Sequence, residues 1–215
     1  MNPERLKGCH FPKSIVLQAV YWYLRYALSY RDIEELMQER GVDVDHATLQ
    51  RWVVKYTPMV EANFRKKKRT VGRSWRMDET YIKIKGQWYY LYRAVDKEGN
   101  TIDFLLTKKR DTKAAKRFLI KAIGSNGRPE KITIDKSGAN KAAIEEYKRE
   151  NGTSIEIRQI KYLNNIVEQD HRGIKRVTKH MLGFKSFHAA SITLSGIELV
   201  RMLKKGQFNQ QDEST

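Results

Sequence analysis

Three carboxylates are placed in this chain where they could act together on one reacting group. Asp78 lies within SWRMDETYIKIK, Asp135 closes KITID, and Glu168 lies within NNIVEQDHRGIKR. The first two segments have the pattern of strands, and the third has that of a helix rich in basic residues. In a chain with a formal net charge of +17, acids placed this way indicate a divalent cation beside a polyanion. That combination is the chemistry of phosphodiester transfer in DNA or RNA.

The overall charge points to the same kind of partner. The 215 residues include 42 Lys and Arg against 25 Asp and Glu, which is typical of proteins that meet nucleic acid. An anionic membrane surface is the rival interpretation, but no stretch approaches the ~20 apolar residues of a membrane span. Cys9 is the only cysteine, so an internal disulfide and a cysteine-built zinc site are excluded. We therefore expect a cytoplasmic protein without a membrane partner.

Residues 1–57 predict three helices that form a candidate DNA-binding domain. Ser29 can cap the N-terminus of the second helix, and the Asp32 side chain, three residues later, can complete a capping box with it. Gly41 is suited to end this helix. Asp45 can cap the third helix. Two short helices joined by a Gly-containing turn match a helix-turn-helix, whose second helix enters the major groove. An ordinary three-helix bundle fits the pattern equally well. The candidate DNA contacts on the third helix are His46, Gln50, Arg51 and Lys55.

The chain then divides into a linker, a second domain and a tail. Pro58 follows the third helix, and residues 58–72 read as a basic linker whose charged run is a solvated tether that also tracks phosphates. Residues 73–206 form the candidate catalytic domain. Residues 207–215 have no core-forming residues and are expected to be disordered.

The second domain has the element order of a ribonuclease H-like fold. Residues 75–85, 88–95 and 101–107 alternate as strands, with Gly86-Gln87 as the first turn. Helices and strands then alternate to the end of the domain, so the sheet is a mixed α/β layer. The later helices are expected at residues 114–123, 139–150, 165–179 and 187–205, and the later strands at residues 131–134 and 155–160.

Strand alternation assigns the acids to the two sides of the sheet. Asp78 shares its side with Ile82 and Ile84, whereas Glu79 faces the opposite side and is expected to be an exposed partner of a lysine. Asp135 lies at the carboxyl end of its strand, where catalytic groups of open α/β sheets collect. If the two strands are neighbours, the aspartates repel each other unless Mg²⁺ or Mn²⁺ lies between them. Other acids on strands and turns read as edge charges or turn formers: Asp96, Asp103 and Asp111.

The helix that carries Glu168 combines one acid with a basic stripe. The spacing of these residues places them on one helical face, where the acid would hold a cation and the basic groups would hold DNA. His171 has only a supporting role and reads as a solvated residue. The members of this face are Glu168, His171, Arg172, Lys175 and Lys179.

The quoted segments resemble bacterial insertion-sequence transposases of the DDE class, and within it the IS-six family. The segments that carry the resemblance are YWYLRYALSYRDIEELMQERGVDVDHATLQRWVVKY, the strand around Asp78, the helix around Glu168, and MLGFKSFHAA. The similarity covers residues 11–206. One departure is the number of residues between Asp135 and Glu168, which is 32 and is smaller than usual in the family. The missing residues fall in a loop at residues 151–154.

The resemblance implies a catalytic triad of Asp78, Asp135 and Glu168 that binds Mg²⁺, with Mn²⁺ as a substitute. It also implies a helix-turn-helix that recognises terminal inverted repeats, and replicative transposition through cointegrates. Lys175 would be the basic residue seven positions beyond the acid. The expected partners are element ends and target DNA, with the protein assembled on them as a homodimer or larger and held at the nucleoid. Two other functions stay open: a DNA-binding regulator with an inactive nuclease-like domain, and a nuclease without strand transfer.

Overall fold

The computed structural model describes residues 11–181 and 183–209. Cys9, the start of the predicted DNA-binding domain and most of the predicted tail lie outside the described residues. The chain divides into two compact units. The first comprises the residues up to Arg69 and those from Ile174 onward, and the second comprises Thr70–Gly173.

The second unit is built on a mixed sheet with the strand order β3-β2-β1-β4-β5. β2 is antiparallel to β1 and β3, whereas β4 is parallel to β1 and β5. This order confirms the predicted ribonuclease H-like fold. The strands are β1 (Ser74–Ile84), β2 (Gln87–Val95), β3 (Thr101–Thr107), β4 (Lys131–Thr133) and β5 (Glu156–Arg158).

The hairpin between β1 and β2 turns one residue earlier than predicted. Ile84 pairs with Gln87, so the two central residues are Lys85 and Gly86. Both have positive φ, at 48° and 79°. A two-residue hairpin turn of this kind needs a left-handed backbone at both central positions, and Gly86 adopts it without the steric cost that falls on Lys85.

Two helices cover the core face of this sheet. α4 (Thr112–Asn126) and α5 (Gly138–Asn151) begin at the caps Asp111 and Ser137, whose side chains accept a backbone N–H from the first turn. The helices bury their apolar residues against the strands, where the residues of β1 and β4 alternate inward. The core includes Trp75, Met77, Tyr92, Ile132, Ile134, Phe118 and Ile144. The last helix of the unit is the first part of α6 (Asn165–Thr178), which follows a 3₁₀ turn at Lys161–Asn164.

The first unit confirms the predicted helix caps. Ser29 and Asp32 form a capping box at the start of α2 (Tyr30–Gln38), and Asp45 accepts the Thr48 N–H at the start of α3 (His46–Arg65). Gly41 takes a left-handed φ of 73° in the connection between them. The preceding helix is α1 (Lys13–Arg25). Within the described residues, no helix has the length and apolar character needed to cross a membrane.

α3 is longer than predicted and takes in half of the expected linker. It continues through Pro58 to Arg65. Proline removes one backbone hydrogen bond and crowds the carbonyl four residues earlier. Pro58 is exposed, so water can reach that carbonyl and the helix is not broken. The prediction that Pro58 follows the third helix is therefore wrong.

The start of the predicted disordered tail is also folded. Phe208 is buried and packs edge-on against Phe64, with ring centroids 5.2 Å apart. Arg69 donates its N–H to the Gln207 carbonyl at 2.9 Å, and Asn209 donates to that of Lys67 at 3.0 Å. The prediction of disorder fails for residues 207–209 because one aromatic ring and these backbone bonds hold the segment. Residues 210–215 lie outside the described residues.

The packing of the last helix differs from the predicted division of the chain into consecutive domains. α7 (Phe187–Lys204) packs against α1 and α3 in the first unit. Gly196 allows this approach, because a Cβ there would stand 2.6 Å from Leu24 Cδ1 and 2.7 Å from the Thr57 methyl group. The helix was expected in the domain of residues 73–206, but its apolar face contacts the N-terminal helices.

Candidate active site

Asp78 lies in the middle of β1, the central strand of the sheet. It stands opposite Arg93 on β2, two residues beyond Arg76, where the pairing with β4 ends. Its side chain is 14% exposed. His171 Nδ1 on α6 lies 3.6 Å from Asp78 Oδ2. The central strand thus holds a mostly buried carboxylate next to an imidazole.

Asp135 lies level with Asp78 in the sheet. Arg76 pairs with Thr133 in parallel register; Asp78 follows Arg76 by two residues within β1, and Asp135 follows Thr133 by two residues, just beyond the end of β4. Asp135 Oδ1 accepts the N–H of Ser137 at 2.9 Å, and Ser137 caps α5. The end of β4 and the start of α5 therefore fix the orientation of this half-buried carboxylate.

Glu168 lies in the first turn of α6 and is exposed. The unpaired N–H groups at the start of a helix stabilise a negative charge, so an acid is favoured at this position. The shorter loop noted in the sequence precedes β5 and does not interrupt the helix: α5 ends at Asn151 and β5 begins at Glu156.

The three predicted acids interact electrostatically. Burial raises the pKa of Asp78 to about 7, and the charges of Glu79, Asp135 and Glu168 add to this effect. A backbone hydrogen bond at Glu79 lowers the pKa in part. Neighbouring carboxylates that share a site disfavour ionisation unless a cation compensates them.

The described side chains do not form a ready-made metal cage. Across residues 11–181 and 183–209, no group of three or more His, Cys, Asp and Glu side chains is arranged closely enough to hold a metal ion. The donor chemistry nevertheless fits a hard divalent cation, because the acids near Asp78 offer carboxylate oxygens and their mutual repulsion is the kind that such a cation removes.

Glu79 faces the opposite side of the sheet and is not the exposed residue that was predicted. Its side chain is 2% exposed and forms an ion pair with Arg110. Asn140 Nδ2 on α5 donates to Glu79 Oε2 at 3.0 Å. Glu79 lies on the same face of β1 as the buried residues Trp75 and Met77. A carboxylate in this position needs such partners, because desolvation without them is costly.

A chain of hydrogen bonds leads from Glu79 to Asp135. The Asn140 side chain donates to Glu79, and the Asn140 N–H donates to Ser137 Oγ at 3.5 Å. Ser137 in turn donates its N–H to Asp135. The residue next to one predicted catalytic acid is thus connected to the other through the cap of α5. Trp75 and Met77 share the parity of Glu79 along β1, and this pattern was a signal in the sequence that Glu79 could be buried.

Two further residues of α6 contact charged groups of β1 and β2. Asp170 forms an ion pair with the fully buried Arg93. His171 is 5% exposed, so the prediction that it is solvated is wrong. It shares the buried side of the helix with Val167 and Ile174, at spacings of four and three residues. Periodicity alone did not separate this side from the exposed one.

The basic residues of α6 remain on the surface. Arg172 and Lys175 are exposed, and Lys179 is exposed just after the helix ends at Thr178. The division between the two units falls within this helix, after Gly173.

The candidate DNA contacts on α3 are placed at its first turns. His46 is exposed and its Nδ1 lies 3.0 Å from Glu34 Oε2, while Gln50 is half-buried. Arg51 is exposed and donates to Thr48 Oγ1 at 2.6 Å. Lys55 is exposed, with Nζ 5.2 Å from the centre of the Tyr56 ring. None of these contacts tests DNA binding, which stays a prediction.

Comparison with known proteins gives matches over most of the chain. A family model described as a DDE domain matches residues 72–207, and one described as the Transposase IS66 family matches residues 8–128. The chain is 44% identical over 210 residues to the transposase of the insertion sequence-like element IS431mec of Staphylococcus aureus, covering 95% of this chain and 90% of that protein. The same identity and coverage hold for the transposase of IS257 in transposon Tn4003 of S. aureus. Among solved structures, the HTLV-2 integrase catalytic core is 20% identical, with a TM-score of 0.49, over 67% of this chain and 92% of the integrase chain.

The sheet, its central carboxylates and the matched DDE domain define a DNA transposase of the DDE class. Within that class, the chain belongs to the IS-six family of insertion-sequence transposases, together with those of IS431 and IS257.

Proposed function

We propose that this transposase binds the terminal inverted repeats of its insertion sequence and catalyses metal-dependent strand cleavage and strand transfer. The observation that carries the proposal is the level placement of Asp78 on β1 and Asp135 just beyond the end of the neighbouring parallel strand β4, within electrostatic reach of Glu168. The reaction would proceed by replicative transposition through a cointegrate. This last step is what the resemblance to the family implies.

Asp78, Asp135 and Glu168 would hold Mg²⁺, with Mn²⁺ able to substitute. When bound, the ion would supply Lewis-acid activation of a water or 3′-hydroxyl and stabilise charge on the leaving oxygen. The protein's own residues prepare the site: Ser137 fixes the carboxylate of Asp135, and His171 lies against that of Asp78.

Basic residues would hold the DNA backbone. Arg172, Lys175 and Lys179 are exposed cations on or next to α6, and phosphate neutralisation releases counterions. The domain of residues 1–57 would recognise the repeats through a helix-turn-helix made of α2 and α3, with His46, Gln50, Arg51 and Lys55 as contacts. Binding at two element ends would require a homodimer or larger assembly, held at the nucleoid by its DNA.

The proposal is tested with purified protein and labelled DNA that carries the element end. Cleaved ends and joined products are expected with Mg²⁺ or Mn²⁺ and not with a chelator. Asp135→Asn should lose both products while still binding the repeat. Specific binding without any cleavage would identify a regulator instead, cleavage without joining would identify a nuclease, and full activity of Asp135→Asn would refute the assignment of the site.

Glu79 should act as a positioning residue for these acids. Glu79→Gln keeps an acceptor for Asn140 but removes the charge that faces Arg110, so β1 is held less firmly next to Asp78. We expect strand cleavage to slow by about tenfold to a hundredfold, since small displacements of reacting groups have effects of that size. Repeat binding should be unchanged, and the Mn²⁺ concentration needed for half-saturation, measured without DNA, should rise.

Asp103→Asn is the matched control for this prediction. Asp103 is a buried strand acid of the same sheet that pairs with Lys121, and it lies on β3 rather than beside Asp78. Both variants remove the charge of a buried carboxylate from an ion pair, so both should be less stable. Equal losses of cleavage and equal Mn²⁺ binding in the two variants would show that Glu79 has only a structural role.

A further inference from the structure

The β1–β2 hairpin carries aromatic rings that the core does not use. Trp88 is 58% exposed and Tyr81 is 47% exposed, although both lie on regular strands. Tyr81 pairs with Tyr90 and Lys83 pairs with Trp88, so all four side chains project from the same face of the sheet. We call Tyr81, Lys83, Trp88 and Tyr90 the hairpin platform.

Contacts within the hairpin platform hold its rings in place. The Tyr81 ring centre lies 5.3 Å from that of Tyr90 and 6.0 Å from that of Trp88, the latter edge-on. Lys83 Nζ lies 5.6 Å from the centre of the Trp88 ring. Arg110 Nη1 donates to the Tyr81 hydroxyl at 3.5 Å. The rings are therefore preorganised, and those of Tyr81 and Trp88 keep much of their surface open to a ligand, while Tyr90 packs against the core.

Along β1, the residues on this same face of the sheet change from buried to exposed. Trp75 and Met77 are buried under the covering helices, and Glu79 is buried with Arg110. Tyr81 and Lys83 are exposed. Exposed clusters of aromatic residues are uncommon on protein surfaces and mark binding sites. The uncovered end of this face is therefore a candidate binding site.

We propose that the hairpin platform binds single-stranded DNA, with unpaired bases stacked on Tyr81 and Trp88 and the adjacent phosphates neutralised by Lys83 and Lys85. Aromatic rings interleaved with cations are the arrangement by which proteins hold single strands without sequence preference. Lys85 is exposed in the hairpin turn next to the rings.

Charge favours a nucleic acid over a second copy of this chain. The formal net charge of +17 and the lysines beside the rings would repel an identical platform. A duplex is also a poor fit, because its bases are stacked on one another and present no free face to a ring. An unpaired strand satisfies both the rings and the lysines.

The position of the platform suggests what this strand would do. Lys83 follows Asp78 by five residues on β1, a distance of about 17 Å. The platform would therefore hold bases a few nucleotides from the reacting phosphodiester. Asp78 faces the other side of the sheet, so the strand would pass from one face of the sheet to the other between the two sites. This role rests on the proposed function, whereas binding itself does not.

The experiment compares the full chain and its variants for binding to a fluorescent oligothymidylate and to a duplex of equal length, without divalent ions. Tyr81→Ala with Trp88→Ala should weaken single-strand binding by at least about tenfold, because stacking on each ring is lost. Duplex binding should be unchanged. Trp88→Phe keeps a ring and should retain most of the affinity, which guards against loss of folding as the explanation.

Tyr162→Ala is the matched control. Tyr162 is 69% exposed and lies in the 3₁₀ turn, outside the hairpin platform, so this variant should bind the oligothymidylate like the wild type. Equal weakening in the control, equal weakening for the duplex, or unchanged single-strand binding would each overturn the proposal. A fall in oligomeric state on sedimentation, with single-strand binding intact, would assign the platform to self-association. Because no cleavage is measured, failure here is separate from failure of the proposed reaction.

Discussion

Asp78→Asn is expected to abolish strand cleavage and, in the same molecule, to raise the melting temperature of the metal-free protein. The asparagine has nearly the same shape but cannot offer a charged oxygen to a cation. Loss of one ligand that stabilises the transition state by several kcal/mol corresponds to about a thousandfold or more in rate. The measurement is end cleavage with Mg²⁺ at saturating DNA.

The gain in stability follows from the pKa of Asp78, which burial and the neighbouring acids raise to about 7. Below the unfolded pKa the group is protonated in both states and has no effect. As pH rises towards 7, the unfolded state releases its proton more readily, so the free energy of unfolding falls. Each unit by which the folded pKa exceeds the unfolded pKa lowers the free energy of unfolding by about 1.4 kcal/mol. This destabilisation is fully present above pH 7, and it is absent in Asp78→Asn.

Thermal melts of the metal-free protein at acidic and alkaline pH check this prediction. The variant should melt above the wild type at pH 8, and the two should converge towards pH 4. Asp96→Asn is the control, since Asp96 is buried and accepts hydrogen bonds from the N–H groups of Gly72, Glu98 and Asn100. Its replacement should lower the melting temperature. A lower melting temperature for Asp78→Asn at pH 8 would contradict the assigned electrostatics.

Asp170→Ala should be strongly destabilising. It removes the carboxylate that forms an ion pair with the guanidinium of Arg93, whose side chain is fully buried. Breaking a buried pair by removing one member costs about 3–5 kcal/mol, because the charge of the other member stays buried without that compensation. At about 2–4 °C per kcal/mol, the melting temperature should fall by about 10 °C.

The same truncation at an exposed pair provides the comparison. Glu145→Ala removes the partner of Lys148 on α5, where the glutamate side chain is 49% exposed. Exposed pairs contribute about 0–1 kcal/mol, so this melting temperature should barely change. The double variant Arg93→Met with Asp170→Leu should recover much of the lost stability, since neither charge of the pair is left buried. Equal melting temperatures for Asp170→Ala and the wild type would contradict the buried pair.

Local signals in the sequence predicted most of the elements. Ser29 with Asp32, and Asp45, begin helices where their side chains can accept the first backbone N–H groups. The period-two segments became the antiparallel strands, and Asp135 follows β4 as expected. These predictions succeed because caps and alternation depend on neighbours a few residues away.

Contacts between distant segments were not predictable in the same way. The burial of His171 depends on what packs against α6, and the ion pairs of Glu79 and Arg93 join residues 31 and 77 positions apart. The packing of α7 on α1 and α3 depends on a close approach at Gly196 that no periodicity reports. Pro58 predicts a helix end by its lost N–H, yet an exposed position lets α3 continue.

The short segment around Phe208 limits where this polypeptide can be cut or fused. Removing residues 207–209 would uncover the Phe64 ring and leave the Arg69 amide and the Lys67 carbonyl to be satisfied by water. Affinity tags and reporter proteins are therefore best joined after Asn209, so that the ring contact and both backbone bonds survive in the engineered protein.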